Sequence, residues 1–321
     1  MRRMKNAVVA FLVLIAGSLA LPQVSFAQQD PQFTQYMFNG LLLNPAYAGS
    51  RGFSSVVGSH RSQWAGFEGA PQSQTLSFDG NLNRKLAGGV IISNDRLGAQ
   101  RFTEVSLNSA VRISLSHSTR LAVGISLGAT QQTLDGTKLR PDEPNDLAIP
   151  QGIERAVKPS ARVGTYLYST RFYAGVSLGN VVFFRDGLPT DPKPHLFLTS
   201  GGVFDLGQKM KFRPSALLKE DFNGPAALDL NAFLLFNEQF WVGTSYRTTL
   251  HIFNNREFAT STRLGNALAL LVELHPSPLM RIGYSYDFSL NQLRHYSSHE
   301  ISLGVNFLKK KYGRMLTPRY F

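Results

Sequence analysis

The sequence predicts an all-β protein, a transmembrane outer-membrane β-barrel of about 14 antiparallel strands with an N-terminal plug or latch segment. Three observations predict it. Apolar and polar residues alternate through a succession of short stretches, the period of a strand with one face in lipid. The connections between stretches are long and tight by turns, as external loops and periplasmic turns are in such barrels. The chain also opens with an export signal.

Residues 1–27 read as that signal. Arg2, Arg3 and Lys5 form a basic start, Ala7 to Leu21 an apolar run of 15 residues, and Ser25-Phe26-Ala27 a cleavage site. Fifteen residues fall short of the ~20 that a helix needs to cross a bilayer. Residues 28–53 form a periplasmic or lumenal segment. Its Phe33, Tyr36, Met37, Phe38 and Leu41–Leu43 are too apolar for water, and the lumen or its periplasmic mouth is the nearest shelter.

The barrel occupies residues 54–309. From Ser54 the gaps run long (Arg61–Ser73), short (Asn83–Arg84), long (Asn94–Gln100), short (His117–Thr119), long (Leu134–Pro159) and short (Ser169–Thr170). They continue long (Val181–Pro194), short (Gly207–Gln208), long (Glu220–Pro225), short (Asn237–Glu238), long (His251–Gly265), short (His275–Pro278) and long (Asn291–Ser298). An even strand number puts both ends of the barrel on the periplasmic side. In Met280–Phe288, Met280, Ile282, Tyr284, Tyr286 and Phe288 share one face, and Arg281, Gly283, Ser285 and Asp287 the other. Leu228, Leu230, Leu234 and Phe236 likewise oppose Asp229 and Asn231. Arg112, Arg162, Lys211, Arg213, Arg247 and Glu273 also lie opposite the apolar stripe. A basic residue on the lipid face at mid-membrane costs ~2–4 kcal/mol, so these charges belong in the lumen. Pro214 removes a ladder donor from its strand, and a bulge there would be tolerated. Residues 310–321 are a basic tail.

Lys and Arg number 33 against 21 Asp and Glu, a net charge of +12 that falls to +9 without the leader. Export argues against nucleic acid as a partner. The absence of cysteine excludes a lipid-modified cysteine anchor, disulfides and thiolate metal sites.

Two G-x-S-x-G matches, Gly124–Gly128 and Gly175–Gly179, fall inside alternating strands, whereas a nucleophile elbow needs a strand, a strained turn and a helix. They read as small lumenal residues. His295 and His299 would stand ~13 Å apart on a strand, too far to share one ion. Asp142, Glu143 and Asp146 lack the spacing and central glycine of a calcium loop. No cofactor or metal is expected.

The stretch from Asp30 to Asn39, DPQFTQYMFN, followed by Asn44-Pro45-Ala46-Tyr47-Ala48-Gly49-Ser50, resembles the opening signature of the PorP/SprF family of type IX secretion proteins. The likeness continues through Arg61–Pro71, Asn94-Asp95, Phe212–Lys219, Phe240–Arg247 and Ser298-His299-Glu300-Ile301, with Ser297 where the family often has glycine. The resemblance implies a non-enzymatic outer-membrane barrel, similar in outline to long-chain fatty-acid transporters. It would assist secretion and surface attachment of a large cargo protein bearing a type IX C-terminal region, and dock to periplasmic secretion or gliding components. The residues expected to contact partners or form the plug are Asp30, Pro31, Gln32, Phe33, Gln35, Tyr36, Asn39, Asn44, Pro45, Trp64, Phe67, His299 and Glu300. Two other readings compete: a transporter of small hydrophobic solutes, and a lipid hydrolase, which needs a serine and a histidine within hydrogen-bond reach.

Overall fold

The computed structural model describes residues 32–139, 150–181, 194–222, 224–250 and 266–307. The leader, Asp30, Pro31, the Asp142–Asp146 acids and the tail from 308 lie outside the described residues. The chain forms one antiparallel sheet closed into a 14-stranded barrel. β1 (Ser54–Ser62), β2 (Gln72–Asn81), β3 (Leu86–Leu97), β4 (Gln100–Ser114), β5 (Arg120–Asp135), β6 (Ile153–Tyr168) and β7 (Phe172–Gly179) pair in sequence. One barrel strand is broken into β8 (His195–Gly202) and β9 (Phe204–Asp205), and both halves pair with β10 (Met210–Glu220). β11 (Ala226–Phe236), β12 (Phe240–Leu250), β13 (Ala267–Ser277), β14 (Met280–Ser289) and β15 (Ser297–Phe307) complete the ring, which β15 closes against β1.

The break is a consequence of Pro214. Proline has no N–H to donate, and the ladder to β8 and β9 skips Arg213 and Pro214, which lie opposite Val203 and Gly202. The pairing with β11 runs through Pro214 uninterrupted.

Outward faces are apolar: Leu76, Leu107, Leu127, Leu230, Leu270, Leu303 and Val305 are all exposed to the surroundings of the barrel. The expected lumenal charges Arg112, Arg213, Asp229, Arg247, Glu273, Arg281 and Asp287 are all buried within. Tight turns such as Asn237–Gln239 and Pro278–Leu279 mark the periplasmic end.

Two expected loops are different. In place of a loop over Asn94–Gln100, β3 and β4 run on to the two-residue turn Gly98–Ala99, with Gly98 at φ +57°. The expected loop Leu134–Pro159 is shortened in the same way, since β5 continues to Asp135 and β6 begins at Ile153 with Pro159 inside it. Beyond the membrane both faces of a strand meet water, so the polar residues there carry no alternation for a strand to be recognised by.

The lumen is also less polar than expected. Phe197, Leu217, Phe233, Leu235, Trp241 and Leu271 point inward and are buried. They pack against Phe33, Tyr36, Met37, Phe38 and Leu43 of the segment that precedes β1.

Candidate functional site

Gln32–Phe53 lies inside the barrel, mostly buried, as a chain of short 3-10 turns over Tyr36–Phe38, Gly40–Leu42 and Pro45–Tyr47. Such turns leave many backbone groups without local partners, and buried ones must be satisfied elsewhere. Lumenal side chains do so. Glu300 accepts from the amides of Thr34 (2.7 Å) and Gln35 (3.3 Å), and Asp79 from that of Gly49 (3.0 Å). Arg213 donates to the Met37 carbonyl (2.8 Å), Arg281 to that of Phe38 (2.7 Å), Arg112 to that of Gly49 (3.0 Å) and Arg162 to that of Leu42. Carboxylates thus take the amides and guanidinium groups the carbonyls, all from the barrel wall.

Ion pairs tie these groups together. Arg61 bridges Asp287 (2.7 Å) and Glu300 (3.2 Å) and donates to the Thr34 hydroxyl (2.8 Å). Arg247 holds Asp229 (2.9 Å) and reaches the Gln32 side chain (3.0 Å). Arg51 pairs with Asp79 near the periplasmic end.

The segment doubles back on itself inside the lumen. Gln32 lies toward the external end, level with Arg247 near the end of β12, and Phe53 at the periplasmic rim beside β1. Between them the chain descends to Phe38, rises to Leu43 and descends again. Two cavities remain on either side. The outer one, about 110 Å³, has an apolar floor of Phe33, Tyr36, Leu42, Leu43 and Phe197 beneath Glu104, Glu220 and Asp221. The inner one, about 210 Å³, is lined by Phe38, Trp241, Arg51, Arg281 and Glu273 together with the turn around Glu238.

The G-x-S-x-G glycines serve this packing. Gly124 and Gly164 face each other across β5 and β6 under the Asn44–Ala46 turn. A Cβ at Gly124 would overlap the backbone of Pro45 and Ala46, and one at Gly164 the side chain of Asn44. Asn44 itself accepts from the Ala46 amide (2.9 Å) and donates to the Thr165 carbonyl (2.8 Å), closing a cap with Pro45 at the first position of the turn. Ser177 donates to the Leu43 carbonyl, so this serine is a clamp on the segment.

Of the candidate residues, Gln32, Phe33, Gln35, Tyr36, Asn39, Asn44, Pro45 and Glu300 meet in the lumen. Trp64 and Phe67 lie in the external connection after β1, where the Trp64 amide donates to Ser298 (3.1 Å) and the Phe67 ring packs on Tyr296 (5.4 Å). His299 parts company with Glu300. It faces outward, between Tyr284 (2.8 Å from Nδ1) and Ser297 (3.2 Å from Nε2). A serine–histidine pair is therefore within hydrogen-bond reach, on a strand paired with β1 and β14. Sequence reasoning missed the inward apolar residues Phe233, Leu235 and Trp241. The signal was there in Ala232-Phe233-Leu234-Leu235-Phe236, an unbroken apolar run that marks a strand buried on both faces.

A filled outer-membrane barrel with this opening segment has relatives. Residues 25–305 match the family described as type IX secretion system membrane protein PorP/SprF. The chain belongs to the PorP/SprF family. It is an outer-membrane β-barrel component of the type IX secretion system. No curated protein matches the chain. Among solved structures, a Pseudomonas aeruginosa FadL homologue is similar at 10% identity and a TM-score of 0.50, over 88% of this chain and 96% of that one. Omp33 of Acinetobacter baumannii is similar at 9% identity and a TM-score of 0.49, over 79% and 98%. The first likeness concerns the barrel fold of this PorP/SprF protein and nothing finer.

Proposed function

We propose that this barrel is a non-enzymatic partner subunit of type IX secretion, which helps to secrete a large cargo protein and to hold it at the cell surface while docking to periplasmic machinery. The observation that carries the reading is the occupied lumen. The wall arginines and carboxylates grip the protein's own Gln32–Phe53 segment, which suits a rigid anchoring body better than a conduit. On this reading the cargo's C-terminal region contacts the outer cavity and the Trp64–Phe67 connection. The periplasmic components meet the tight-turn end around Glu238 and Pro278. Asp30 and Pro31, which precede Gln32 in the sequence, are included in the partner contact on this reading.

The test is gentle detergent extraction and affinity purification of the native barrel from secreting cells. A large secreted protein together with a periplasmic secretion component should accompany it. Recovery of the barrel alone, under conditions that keep other secretion complexes whole, counts against the proposal.

The apolar floor of the outer cavity favours a second reading, uptake of small hydrophobic solutes. Solute flux through the purified barrel in vesicles, with no protein partner, would establish that reading instead.

A further inference from the structure

The hydrocarbon belt can be measured on the outward faces of β4 and β6. On β4 the outward residues Ile113, Val111, Leu107 and Val105 are apolar, with the small Ser109 among them, and Thr103 and Arg101 above them are polar. Strands tilted by ~40° rise about 2.5 Å per residue along the membrane normal, so a ~25 Å belt takes about ten residues. Arg101 lies twelve residues above Ile113, and Arg155 twelve above Leu167. Arg96 lies ten above Leu86. All three therefore emerge where the outer leaflet's headgroups begin.

They also converge. Arg96 is paired directly across the ladder with Arg101, and Thr133 alone separates Arg101 from Arg155. All three are exposed and point away from the lumen, and among the described residues none has an ion-pair partner. Among the described residues, the outward acid Asp135 on the same wall is held by Lys138 (3.1 Å). On the opposite wall several outward residues at the external strand ends are apolar, including Leu178, Leu196, Leu228, Leu268 and Phe288. Like charges one strand apart repel, so three of them gathered at the lipid boundary suit an anionic partner.

We propose that Arg96, Arg101 and Arg155 form a docking ledge for the phosphate groups of an outer-leaflet glycolipid, orienting the barrel with this wall against that lipid. The guanidinium fork matches phosphate geometry, and the apolar belt directly below receives the acyl chains. This rests on the barrel fold and the belt, and stands whichever partner the lumen serves.

The test uses the whole purified barrel in detergent, with native mass spectrometry as readout and bisphosphorylated lipid A as probe. The wild-type protein should retain the lipid, and should not retain its dephosphorylated form. The triple variant R96Q/R101Q/R155Q should bind on the order of a hundredfold more weakly, each cation near an anionic headgroup supplying about a fivefold preference. The lysine variant R96K/R101K/R155K should keep most of the affinity, and unchanged heat-modifiable mobility should show that all the barrels are folded. Equal retention by the wild type and the glutamine variant overturns the proposal. So does displacement of the lipid by inorganic phosphate at comparable concentration, which would make the ledge a site for the free ion.

Discussion

Replacing Arg61 by methionine removes the cation that secures the outer end of the lumenal segment. Arg61 is 2% exposed, and its guanidinium serves Asp287, Glu300 and the Thr34 hydroxyl at once. The variant strands two buried carboxylates, and breaking a buried pair in this way costs ~3–5 kcal/mol. No ladder bond is lost, so the closed sheet should persist and the cost should fall on the docking of Gln32–Phe38. That corresponds to a rise of roughly 150-fold to several thousandfold in the population with this stretch released. The chain contains no cysteine, so Met37→Cys, at a position 5% exposed, supplies a single buried thiol. Its maleimide labelling in purified barrels should accelerate strongly when Arg61→Met is added. Adding Asp287→Asn and Glu300→Gln as well should slow it again, because the stranded charges are gone. If Arg61→Met leaves the labelling rate unchanged, the segment does not depend on this ion-pair network and the reasoning fails.

Three further outcomes follow from the same geometry. Leu230 faces lipid at 47% exposure and Asn231 the lumen at 5%, so Leu230→Arg should cost ~2–4 kcal/mol of membrane insertion and deplete the heat-modifiable form more than Asn231→Arg does. Equal loss from both would show the faces reversed. Gly124→Val should displace the Asn44–Ala46 turn at ~1–3 kcal/mol and raise the same thiol's labelling, while Gly58→Val, whose added carbon meets nothing closer than 3.9 Å, should not. Ser126→Ala and Ser177→Ala should leave cargo secretion at the wild-type level in a surface-exposure assay. The second would cost only the bond to Leu43, ~1 kcal/mol, and a secretion defect in either would reinstate a nucleophile.

The barrel was legible because the cost of charge in lipid writes itself into every second residue. Arg281 and Asp287 could be assigned to the lumen from their neighbours Ile282 and Phe288 alone. What the side chains do there was not legible. That Arg281 would serve the Phe38 carbonyl, 243 residues away in sequence, depends on the fold of a segment with no periodicity of its own. Strand ends were misplaced where lipid stops imposing a pattern, as at Asn94–Leu97 and Ile153–Val157. His299 and Glu300 were both among the candidate contact residues, yet adjacent residues on a strand point to opposite faces, and of the two Glu300 reaches the segment.

The contact between Thr34 and Glu300 joins the lumenal segment to β15, across 266 positions. A nascent barrel lacking β15 would have an open seam and, at the same time, no Glu300 to hold the amides of Thr34 and Gln35. Completion of the cylinder and fastening of the outer end of its contents are therefore coupled. A chain truncated before Glu300 would betray itself to quality-control proteases by a loose leading end, whatever the state of the remaining wall.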